Sequence, residues 1–89
     1  MVKEENDNMV MEFGTGDIGF NAGAITIDNK KVGIIIFYNQ EPRDIGVKGD
    51  IESGTEVDLN DFPVRMEFNK KESIDVLITA LNIAKNEMD

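Results

Sequence analysis

The stretch Val32–Tyr38, "VGIIIFY", constrains the fold more than any other part of this chain. It is β-branched, aromatic and apolar on both faces, with Val32, Ile34, Ile36 and Tyr38 on one and Ile35 and Phe37 on the other. A strand covered on one side alternates apolar with polar residues; one that does not is central, or meets a second sheet or subunit. Just before it, "AITI" (Ala24–Ile27) reads as a strand, and "DNKK" (Asp28–Lys31) supplies turn residues, with Asn29 able to adopt positive φ. Residues 24–38 are therefore expected to form a β-hairpin. Gly33 leaves room for a close neighbour such as a helix.

The remaining segments fill in an α+β plan. Residues 1–8 are polar and aperiodic, and are expected to be a flexible tail ahead of a single domain spanning 9–89. Met9, Met11 and Phe13 share one face of an expected strand. Gly14–Gly19 and residues 39–49 read as loops, residues 50–58 as a weak hairpin or extended segment, and residues 60–63 as a bend. "VRMEF" (Val64–Phe68) alternates as a half-exposed strand. Asn69 followed by Glu72 suggests an N-cap for a helix running to about Glu87. On that helix Glu72, Asp75, Thr79, Asn82 and Asn86 form a narrow polar wedge. Ile74, Leu77, Ile78, Leu81, Ala84 and Met88 form an apolar stripe, which Val76, Ala80 and Ile83 widen past half the circumference. A surface helix needs an apolar arc of only about 100° or somewhat more. The flank Val76, Ala80 and Ile83 is thus an expected oligomer interface, with cover by the chain's own loops as the alternative. The expected architecture is a small antiparallel sheet of four to five strands with one C-terminal amphipathic helix packed on it.

Composition excludes several chemistries. With no Cys and no His, the chain has no thiol redox centre, disulfide, Cys/His zinc site or His-activated nucleophile. Ser53, Ser73, Thr15 and Tyr38 therefore lack a His partner, and no enzyme activity, metal or cofactor is expected. The eighteen acidic and nine basic residues leave a formal charge of −9, which repels nucleic acid and anionic lipid and favours basic partners. Solubility alone also accounts for such a charge. "MVKEENDN" lacks the apolar core of a signal peptide. The longest apolar run, Ile34–Tyr38, is far short of the ~20 residues that span a bilayer. A cytoplasmic location, without membrane or direct nucleic-acid binding, is the expectation. A chain of 89 residues buries a modest core, and oligomerisation is one way to bury more.

"GTGDIG" spells G-x-G-x-x-G through Gly14, Gly16 and Gly19. A dinucleotide fingerprint requires a helix directly after the glycines, and "FNAGAITID" is β-patterned instead. The P-loop Lys-Ser/Thr pair is also missing. What survives is a glycine bend whose backbone N–H groups offer an anion nest. The candidate ligand contacts are Gly14, Thr15, Gly16, Asp17, Gly19 and Asn21, with Arg43, Lys48 and Tyr38 nearby. A second candidate is the acidic run Asp50, Glu52, Glu56 and Asp58. If extended, these carboxylates share a face, with neighbours two residues apart spaced about 6.6 Å, close to phosphate spacing. That suits a nucleic-acid mimic aimed at a basic groove; a solvated loop is the plainer reading. An EF-hand register from Asp50 fails, because its sixth position is Thr55 rather than Gly.

The C-terminal "MEFNKKESIDVLITALNIAKNEM" resembles the ends of small acidic accessory proteins of bacterial viruses: a strand, an Asn-led cap and one amphipathic helix. The resemblance implies a small non-enzymatic protein made in a bacterial host. Such proteins bind a host protein or sequester a small signalling ligand, often as homodimers or higher oligomers. The expected function is a non-catalytic binding protein acting by occlusion or capture. A nucleic-acid-mimic inhibitor and a structural assembly module are the alternatives.

Overall fold

Two Asx pairs set the β architecture. In the computed structural model, which describes residues 1–46, 49, 51 and 57–88, Asn6-Asp7 and Asp28-Asn29 hold φ of 50° and 66°, and 49° and 65°. Positive φ at both central residues is the pattern of a type I′ turn, whose twist matches that of paired strands. The first turn joins β1 (Val2–Glu5) to β2 (Asn8–Met11), which pair antiparallel from Val2 opposite Met11 to Glu5 opposite Asn8. The second joins β3 (Ile18–Ile27) to β4 (Lys30–Asn39). A 3₁₀ turn (Leu59–Asp61), β5 (Val64–Phe68) and α1 (Lys71–Glu87) complete the order. The chain is α+β, with a two-stranded antiparallel sheet, β1-β2, and a three-stranded one, β3-β4-β5.

Several expectations change here. The strands lie in two sheets rather than one, because residues 1–8 build a hairpin arm where a frayed tail was expected. Val2 is 6% exposed, and its backbone is held by both ends of the Asn39 amide: Val2 N donates to Oδ1 at 2.7 Å, and Nδ2 donates to Val2 O at 3.1 Å. β3 begins at Ile18 rather than Ala24, through "IGFNAG". β4 is the central strand of its sheet, the first of the two outcomes its apolar faces allow, and Ile36, Phe37 and Tyr38 are buried in succession. Of the three residues expected to share one strand face, Met9 and Phe13 are 59% and 57% exposed, while Met11 packs against the core.

The chain divides into two compact units, Met1–Ala22 with Ile35–Met66, and Gly23–Ile34 with Glu67–Asp89. The first has a core of Val2, Ile18 and Phe37, against which Met11, Ile35, Val64 and Met66 pack. Each such side chain contributes about 1.5–3 kcal/mol when fully buried. In the second unit Val32 and Ile34 are buried, and Gly33 faces the helix. A Cβ on Gly33 would lie 3.5 Å from Ile74 Cδ1 and 3.7 Å from Phe68 Cβ.

α1 starts one residue later than Asn69 allows. Its N-cap is Lys70, with extended backbone and no side-chain cap bond. The first turn closes instead through Ser73 N–H donating to Lys70 O at 3.2 Å, and Glu72 offsets the positive helix end. Ile74 and Leu77 are half-buried. Val76, Ala80 and Ile83 are exposed, and so are Ile78, Leu81 and Met88 of the expected packing stripe. Among the described residues, no helix is long and apolar enough to cross a membrane.

Candidate functional site

Two of the three glycines of "GTGDIG" have a steric cause. Gly16 holds φ of +72°, and a Cβ there would overlap the Arg43 carbonyl oxygen. A Cβ on Gly19 would overlap the Tyr38 ring and stand 2.6 Å from Gln40 Oε1. Only glycine permits this approach of the 14–19 segment to the chain after β4. Gln40 fastens the two: its N–H donates to Asp17 O at 2.9 Å, and its Nε2 donates to Gly16 O at 3.1 Å. Gln40 Oε1 is buried and has no hydrogen-bond partner among the described residues.

Above this contact, within the first unit, opens a pocket of about 650 Å³. Its lining includes Gly14, Gly16 and Gly19 together with Arg43, Asp44, Ile45 and Gly46. Phe13, Ile18, Phe20 and Ile51 make it largely apolar. Phe20, at 60% exposure, and Phe13 keep open faces while both rest on the buried Phe37, each with ring centroids 6.2 Å from it. Phe13 meets Phe37 edge-on at 78°, and Phe20 is tilted at 44°. Asn21 and Gln40 add amide groups to the lining.

One side of the pocket is braced by a closed ring of three hydrogen bonds. Tyr38 Oη donates to Asn21 Oδ1 at 2.9 Å, Asn21 Nδ2 donates to Ile51 O at 3.0 Å, and Ile51 N–H donates to Tyr38 Oη at 3.3 Å. The Tyr38 ring also meets Phe62, at 5.8 Å between centroids. Tyr38 therefore supports the wall from behind. The pocket-ward Asn21 is held with both amide ends used.

Asp17 does something different from the expected ligand contact. Its carboxylate accepts from the Met1 ammonium at 2.7 Å and from Thr15. The Met1 hydrogen bond, foremost, holds the Asp17 carboxyl below the ordinary carboxylate range. The Met1 ammonium also donates to Glu12 O, while Glu12 N–H donates to Met1 O at 2.9 Å. Asp17 and Thr15 thus tie the glycine loop to the β1-β2 arm, off the lining. Arg43 Nε donates to Glu41 O at 3.2 Å.

Of the nine expected ligand contacts, Gly14, Gly16, Gly19, Asn21 and Arg43 come together on the wall. Lys48 lies outside the described residues, as do Asp50, Glu52 and Glu56 of the acidic run. The remaining member of that run, Asp58, caps the 3₁₀ turn by accepting from Asn60 N–H at 2.9 Å. Sequence reasoning missed Phe13, Phe20, Gln40 and Ile45. The available signal was an aromatic on each side of a glycine-rich segment. Comparison with protein-family models, curated proteins and solved structures returns no match to this chain.

Proposed function

We propose that this chain is a non-catalytic binding protein that captures a small ligand in the pocket of its first unit. The observation that carries this reading is the pocket itself: about 650 Å³, mainly apolar, with two exposed Phe faces on a glycine-tightened frame. Small-ligand sites run to about 300–1,000 Å³, with apolar and aromatic linings and a few fixed polar groups. The hydrogen-bond ring through Tyr38, Asn21 and Ile51 favours a pre-formed site. Phe13 and Phe20 suit a flat aromatic group, which stacks or packs edge-on. Backbone amides of the glycine bend suit a single anionic group beside it. The charge of −9 disfavours polyanions. The class that fits is a mononucleotide or cyclic nucleotide. In the bacterial host that the viral resemblance implies, capture would withdraw such a signalling molecule from its receptor.

The test is thermal denaturation against a panel of mononucleotides and cyclic nucleotides. A bound ligand at 100 times its Kd adds about 2.7 kcal/mol, and 1 kcal/mol moves the Tm of a chain this size by about 4–8 °C. Phe20→Ala is expected to abolish the shift while leaving the unliganded Tm close to wild type. No shift with any member of the panel overturns the reading.

A further inference from the structure

We propose that the pocket reads its ligand through the main chain of β3, with Phe20 C=O and Ala22 N–H pairing the edge of a nucleobase. This rests on the capture reading above and names the group that is recognised. β3 is the outer strand of its sheet, with β4 as its neighbour among the described strands. Side chains along a strand alternate between two faces. Yet Ile18, Gly19, Phe20, Asn21 and Ala22 all line the pocket. Successive residues meet one space only where that space stands at the strand's edge. The two faces are distinct here: Phe20 rests on Phe37, whereas Gly19 abuts the Tyr38 ring and Asn21 bonds Tyr38 Oη.

The register of the hairpin says which backbone groups meet that space. The Asp28-Asn29 turn sets Ile27 opposite Lys30, and at the other end Gln40 N–H donates to Asp17 O at 2.9 Å. Both ends give one register, in which Gly19 faces Tyr38 and Phe20 faces Phe37, in keeping with their contacts. In an antiparallel pair, hydrogen-bonded and non-hydrogen-bonded residue pairs alternate. Asp17 and Gln40 are a hydrogen-bonded pair, so Gly19 and Asn21 direct their N–H and C=O to β4. Ile18, Phe20 and Ala22 turn theirs away from β4, toward the edge where the pocket lies.

A ligand that covers this edge strips water from those groups. A buried N–H or C=O left without a partner costs its full desolvation, so a purely apolar ligand is penalised there despite the phenyl faces. The ligand that fits offers a donor and an acceptor side by side, on a flat body that continues the plane of the sheet. Phe20 C=O and Ala22 N–H are consecutive outward groups, an acceptor followed by a donor. Unstacked nucleobases are read on such edges, where a donor stands beside an acceptor. A base seated there has Phe20 on one face. On the other it has Asn21 and Ile51, which the hydrogen-bond ring holds in place. The strand edge supplies the polar contacts to the base, and the glycine bend those to the anionic group.

The experiment is amide hydrogen exchange of the full chain by NMR. The probes are the common ribonucleoside 5′-monophosphates and their 3′,5′-cyclic forms, with ribose 5-phosphate as the base-free control. With nucleotide at about 100 times its Kd, exchange at the Ala22 amide is expected to slow about tenfold or more. The Ala24 amide, the next outward position and outside the lining, is expected to be unchanged, and ribose 5-phosphate to slow neither. Ala22→Pro removes the outward N–H, and proline is tolerated where an edge strand turns its N–H away from the ladder. That variant is expected to bind nucleotide about tenfold more weakly, with Ala24→Pro binding as wild type does. Nucleotide binding with unchanged Ala22 exchange overturns this proposal and leaves capture standing, as does wild-type affinity in Ala22→Pro. Absence of binding by every nucleotide overturns both. The exchange measurement on the wild-type chain decides the matter where a proline variant does not fold.

Discussion

The two units of this chain solve the same problem to different degrees. The first surrounds Val2, Ile18 and Phe37 with its own strands and locks the periphery with side-chain hydrogen bonds from Asn39, Gln40, Asn21 and Tyr38. The second buries Val32 and Ile34 and half-buries Ile74 and Leu77, then leaves the rest of an apolar helix face in water. Short glycine and Asx segments let the first unit fold back on itself. A straight helix cannot curl around a small sheet, so much of its apolar circumference stays open. In the function proposed above, the first unit is finished by a small ligand.

Substitutions sharpen the contrast. The largest effect is expected from Phe37→Ala, which removes the ring under Phe13 and Phe20 at a cost of about 3–5 kcal/mol; urea denaturation measures it. The corresponding change in the second unit, Leu81→Ala, is expected to be within about 0.5 kcal/mol in dilute monomer, because Leu81 is 61% exposed. Equal costs for the two would break the comparison.

Next come the glycines. Gly16→Ala meets the Arg43 carbonyl at positive φ, and strain of this kind costs about 1–3 kcal/mol. Gly33→Ala meets Ile74 Cδ1 at 3.5 Å, an ordinary contact, and is expected to be neutral or to stabilise by about 0.4–1 kcal/mol. The Tm difference between the two variants checks the sign. Tyr38→Phe takes the hydroxyl from the Asn21–Ile51 ring and is expected to cost about 1–2 kcal/mol. Faster hydrogen exchange at the Ile51 amide checks that ring directly.

The smallest effect is a pH dependence confined to the first unit. Pairing with Met1 lowers the Asp17 pKa below its ordinary 3.8, so its stabilisation is present above that value and is lost as the pH falls through the lowered one. The Tm gap between wild type and Asp17→Asn is therefore expected to shrink from about pH 5 to about pH 2. A constant gap would show that Asp17 does not tie the loop through its charge.

What could be read in advance follows physical range. β4, β5 and α1 declare themselves because a long apolar run, a clean alternation and a helical stripe are local signals. The β1-β2 arm did not, since "VKEE" carries one apolar residue, Val2, and its burial depends on Asn39. The Asn69 cap failed for a related reason: its side chain is suited to capping, but the backbone enters the helix one residue later, at Lys70. Part of the glycine wall was legible from Gly14, Gly16 and Gly19. Phe20 and Gln40 were not, because their role depends on a segment two dozen residues away in sequence.

By itself the sequence determined the α+β class, the strand Val32–Tyr38 apolar on both faces, the lack of thiol and imidazole chemistry, and the presence of an over-wide apolar helix. These rest on composition and on periods of two and 3.6 residues, which each segment carries internally. Only the tertiary structure decided that the G-x-G-x-x-G segment is a close-approach wall, that Asp17 faces the chain's own ammonium, and that α1 is left half uncovered. Those depend on which distant residues arrive opposite one another, and no local period encodes that.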